Sequence, residues 1–142
     1  MEQVMLIGPK GEFEAPGKRL DYCTHFAVTM ARFGYFDVTH APSGKGMIRN
    51  FERAINAFEA MILLQEAADE LGIPADADEQ TFLGAVKKPV KLKALGDLKF
   101  IEYCQIKDSV ITGDEFPWES DETCPHYRVA ELCEKHDIEF NV

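Results

Sequence analysis

No stretch of this sequence is apolar enough over the ~20 residues that a membrane span needs, so no membrane association is expected. Its first residues, MEQVMLIGPKGEFEAP, carry an early acid and no basic run, which does not read as a secretory signal. Repeats, low-complexity tracts and linkers are also missing. One acidic globular domain over residues 1–142 is therefore expected. There are only four cysteines, none in a C-x2-C pair, and in a chain that is not secreted they read as reduced thiols. The expected location is the cytoplasm, of a cell or of a virus-infected host cell.

Positive charge is scarce. Fifteen Lys and Arg face 25 Asp and Glu, a formal net charge of −10. Such a chain repels nucleic acid as a whole, so no direct nucleic-acid binding is expected, and it is drawn to basic surfaces. The charge is also uneven: +1 over residues 1–50, −7 over 51–82, +3 over 83–113 and −7 over 114–142.

Catalytic signatures are missing too. There is no G-x-S-x-G, no H-E-x-x-H and no recognisable carboxylate pair, so nothing argues for an enzyme and no cofactor is called for. The segment HAPSGKGMIRNFER, residues 40–53, is like a phosphate loop in outline only. A P-loop reads G-x-x-x-x-G-K-[ST]. Here Thr39 holds the place of the first glycine, and Gly46 stands where the hydroxyl belongs. What remains is a set of cations, Lys45, Arg49 and Arg53, at four-residue spacing, with Ser43, Gly44 and Gly46 beside them. If a helix begins there, its N-terminus and these cations invite an anion, a phosphate or nucleotide. The alternative is that the chain's own carboxylates answer them, and with 25 acids that is the expectation. Zinc would need Cys23 and His25 to meet Cys133 and His136, and no familiar spacing supports it. Cys23 and Cys133 are the candidate thiol nucleophiles, and nothing local marks either as activated.

The segment GDEFPWESDE sets Phe116 and the only Trp, Trp118, among Asp114, Glu115, Glu119, Asp121 and Glu122. Aromatics carry much of the energy at interfaces, and acids steer them to a basic partner. Alternatively, Phe116 and Trp118 fold back to close the core. Acids at 66–79 form a second candidate contact.

Patterning gives the architecture. QVMLI, the turn Gly8-Pro9-Lys10-Gly11 and EFE read as a β-hairpin, and YFDVT as a strand. Residues 18–34 have apolar positions at Leu20, Cys23, Phe26, Ala27, Met30 and Ala31, a helical spacing with Gly34 as its stop. A long central helix is expected from Gly46 to Leu71, ended by Gly72-Ile73-Pro74. A short helix follows, with Asp76 or Asp78 as its N-cap. VKLKAL and LKFIEYCQI read as strands, PHYRVAELCEKH as a helix with Pro125 at N1, and IEFNV as a last strand. The sum is an α+β domain: a mainly antiparallel sheet of short strands packed on a long central helix and two or three shorter helices. The function expected is a non-enzymatic interaction module. It would be an acidic inhibitor or adaptor for a basic protein surface, one that nucleic acid could otherwise occupy, as in virus–host conflict. The alternative is a small phosphate- or nucleotide-binding protein or enzyme using the SGKG helix N-terminus. The sequence does not indicate an oligomeric state.

Overall fold

A computed structural model describes residues 2–109 and 124–140. The architecture is α+β, with a five-stranded antiparallel sheet followed by helices. The strands are β1 (Glu2–Gly8), β2 (Gly11–Lys18), β3 (Phe26–Arg32), β4 (Tyr35–His40) and β5 (Lys45–Phe51), and they lie in chain order. Then come α1 (Ala54–Glu70), α2 (Glu79–Val86), a 3-10 turn (Lys93–Leu95), α3 (Phe100–Ser109) and α4 (Pro125–Lys135).

Helix α1 crosses the face of the sheet built by β3, β4 and β5, and α4 packs against its other side. Its middle is therefore enclosed, as expected from its nearly continuous apolar surface. Met61, Ile62 and Leu64 are completely buried. Each such side chain contributes about 1.5–3 kcal/mol through burial. Gly72 takes a left-handed φ of 70° just past the helix, and Ile73 N–H returns to the Ala68 carbonyl, so the stop signal works as read.

The β1–β2 hairpin does not simply extend the sheet. Strand β2 pairs with β1 along its whole length but with β3 only at Gly17 and Lys18. Past this corner the hairpin folds over the face of the sheet opposite the helices. Val4, Leu6 and Ala15 meet Ala27 there in a small second core. The far end is latched by Ile7 N–H, which donates to the Gly44 carbonyl at 3.1 Å. Gly44 has φ +75°, and a Cβ on it would lie 2.6 Å from the Met5 carbonyl oxygen, so only glycine fits. The opposite edge, β5, is met by α3, where the Asp108 carboxylate accepts Arg49 N–H at 2.8 Å.

Several elements differ from the sequence reading. Residues 26–32 are strand β3, not part of a helix. Phe26 and Val28 enter the main core while Ala27 enters the second core, so both faces are buried and the period of two is erased. The long helix begins at Ala54 rather than Gly46, because residues 45–51 form β5. Register shifts opposite Asp37 and between Val38 and Thr39 mark bulges, which turn Ile48 and Phe51, three residues apart, both inward. A bulged strand thus imitates helical spacing. LKFIEYCQI forms helix α3, started by Glu102, whose carboxylate accepts Lys99 N–H. VKLKAL gives one isolated bridge, Leu92 to Leu98, around the 3-10 turn. Residues 138–140 are not a strand; Phe140 instead meets Phe58 edge-on, with centroids 4.9 Å apart.

Candidate functional site

The SGKG segment is a turn, not a helix start. Ser43 and Gly44 link β4 to β5, and Lys45 opens β5. The helix-dipole argument for an anion therefore has no helix behind it. Ser43 Oγ lies 2.7 Å from His40 Nδ1. Lys45 pairs with Glu79 at 2.5 Å. Arg49 is anchored through its backbone to Asp108, and its charge lies beside Asp37. Arg53 precedes the first residue of α1 and interacts within the chain.

The cysteines and histidines do not gather into one set. Cys23 and Cys133 are both buried in the main core, and His136 stacks on Tyr22. His25 sits elsewhere in the core, against Phe26, His40 and Phe82. No group of three or more His, Cys, Asp or Glu that could hold a metal occurs among the described residues. Burial pushes the Cys23 and Cys104 thiols up to about 12 and raises Cys133 as well. None of these three is a thiolate at neutral pH, so none is an activated nucleophile.

A polar groove of about 620 Å³ opens beside the Tyr22–His136 stack. Glu66, Asp69 and Glu70 of α1 form one wall, with Lys93 and Lys135 at its rim. Tyr22 Oη donates to Asp69 at 2.5 Å, which together with burial drives the phenol's pKa upward. Glu66 Oε2 holds both Lys135 Nζ and His136 Nε2 at 2.7 Å. Glu70 accepts the backbone N–H groups of Lys93 and Ala94. Asp78 caps α2, and Glu79 holds Lys45. Most of the acids at 66–79 are thus committed to partners inside the domain.

The outer face of the β1–β2 hairpin is different. Val4 and Leu6 point inward, so Met5 and Ile7 point out, each 45% exposed. The register sets Glu14 directly across from Met5 and Glu12 directly across from Ile7. Both acids are exposed, and neither has an ion-pair partner among the described residues. Facing side chains in such a ladder stand about 4.5–5.5 Å apart at Cβ. Phe13, 40% exposed, lies at the rim over Gly8. Sequence reading found the hairpin and missed its outer face, because Val4 to Ile7 are apolar throughout and carry no alternation. The acidic-aromatic segment, Asp114, Glu115, Phe116, Trp118, Glu119, Asp121 and Glu122, lies outside the described residues.

No family model, no curated protein and no solved structure matches the chain.

Among the described residues, no helix is long and apolar enough to cross a membrane.

Proposed function

We propose that this domain works by binding another protein, without catalysis, and that the partner presents a basic surface with apolar side chains among its cations. The observation that carries this reading is the hairpin's outer face. Two large apolar side chains stand in solvent with an uncompensated carboxylate across from each. Apolar contact supplies affinity in such a patch, and the acids supply orientation and speed of association. A net charge of −10 on the whole chain steers in the same direction. The contact proposed is the hairpin's outer face; at the sheet edges Ile7 N–H is taken by the Gly44 carbonyl and Arg49 N–H by the Asp108 carboxylate. A surface of this kind on the partner is one that nucleic acid would also occupy, which makes inhibition by competition the natural mode of action.

The test is affinity capture with stepped salt, run in parallel on the native chain and on E12K/E14K and M5S/I7S. The captured protein should be basic, should elute at moderate salt, and should be lost from both variants. A non-basic partner, or one retained by both variants, would refute the reading.

A further inference from the structure

His25 on the loop entering β3 and His40 at the end of β4 are both shut inside the domain, at 1% and 0% exposure. Their rings lie 6.3 Å apart. Among the described residues, neither His25 ring nitrogen has a hydrogen-bond partner, and neither does His40 Nε2. A buried polar atom without a partner is costly, and a buried charge without one far more so. The lid over this pair is α2. Phe82 stacks on His40 with centroids 3.8 Å apart and planes 14° off parallel, and it lies 5.6 Å from His25.

The elements around the pair are not held equally. Strands β3 and β4 are interior strands of the sheet, and α1 is the enclosed helix of the core. Helix α2 has eight residues; it buries Phe82 and Val86 fully and packs Leu83 and Ala85 partly against the core. Besides these it is tied by the Lys45–Glu79 pair, and residues 87–91 after it are all exposed. Short elements with few buried contacts open at the lowest free energy.

We propose that α2 is a proton-released plug: protonation of His40, packed between Phe82 and the buried His25, expels Phe82 and Val86 and exposes the rings, while the sheet and α1 stay folded. The charged groups facing the pair are few. From β5 there is Lys45 and from α2 Glu79, and these neutralise each other; from α1 there is the uncharged Gln65, whose Oε1 accepts His25 backbone N–H. Among the described residues no carboxylate hydrogen-bonds to the His40 ring, so a proton taken up there in the closed form meets no anionic partner. Burial holds the His40 imidazole well below its ordinary value, down to about 4. Opened, His40 recovers an ordinary value near 6.5. Between those two values the opening constant for one proton rises about tenfold for each unit of falling pH.

Hydrogen exchange on the full chain, corrected for intrinsic rates, reads this directly. From about pH 7 to about pH 4.5, protection of the amides of residues 82–88 should fall by two orders of magnitude, while β3, β4 and α1 keep theirs. H40F keeps the ring stack and cannot titrate, so its α2 protection should be independent of pH. Should H40F fail to fold, an NMR titration of the native chain decides: the His40 ring must titrate together with loss of the α2 amide signals. Unchanged α2 protection, or loss of the whole domain in one step with α2, would overturn the proposal.

Discussion

Tyr22 and His136 stack face to face, with centroids 3.8 Å apart and planes 13° from parallel. They join the connection between β2 and β3 to the last turn of α4, and Glu66 of α1 holds the imidazole from the other side. Three distant parts of the chain thus meet at this stack, with Tyr22 bonded to Asp69 and His136 to Glu66, whose side chain is only 11% exposed.

Glu66→Ala should therefore loosen α4 from α1. It leaves His136 without its acceptor in a mostly buried place, at a cost of about 1–3 kcal/mol. Urea unfolding reads the loss. A double-mutant cycle with His136→Ala should return a coupling above about 0.5 kcal/mol.

Gly44→Ala should detach the hairpin. The added methyl meets the Met5 carbonyl, and φ at +75° is strained for any side chain. A cost of more than about 1 kcal/mol is expected by thermal or urea unfolding. Exchange at the Ile7 amide should rise more than exchange in α1.

Thiol labelling should be slow in the native protein. Cys23 and Cys104, with thiols near 12, should resist iodoacetamide at neutral pH and react at once in urea. Mass spectrometry counts the adducts.

The pH dependence has two opposing parts. Burial raises Glu59, which meets Arg128 at 3.2 Å, so the folded state binds its proton more tightly than the unfolded one. Its contribution to stability grows as pH falls through the folded pKa. His40 has the reverse sign: its folded value lies below the unfolded one, so stability is lost between about 6.5 and 4, at about 1.4 kcal/mol per unit. Glu59→Gln, which stands in for the protonated acid, should remove the first part: in urea unfolding its stability should no longer rise as pH falls through the Glu59 range, leaving only the His40 loss.

The sequence disclosed what local chemistry decides. The Gly8–Gly11 turn, the Gly72 stop, the Asp78 cap and Pro125 at the start of α4 are all set by a residue's own backbone or side chain. It concealed what distant partners decide. Phe26 to Thr29 look helical because strand burial on both faces requires knowing where the hairpin folds. Met47 to Phe51 look helical because the bulges opposite β4 re-aim the side chains. The candidate face on the hairpin stayed hidden for the same reason. Met5 and Ile7 are as apolar as Val4 and Leu6, and only the second core tells the two pairs apart.

Among the described residues, all five strands come from the first 51 residues and every α-helix comes after them. During synthesis the sheet emerges bare. Phe26, Val28, Val38 and Ile48 have nothing to cover them until α1 has left the ribosome. At about 5–20 residues per second, that gap lasts on the order of a second. Through that interval the nascent chain presents its stickiest surface, and the Gly44 latch, which closes within the first 51 residues, shields only the other side.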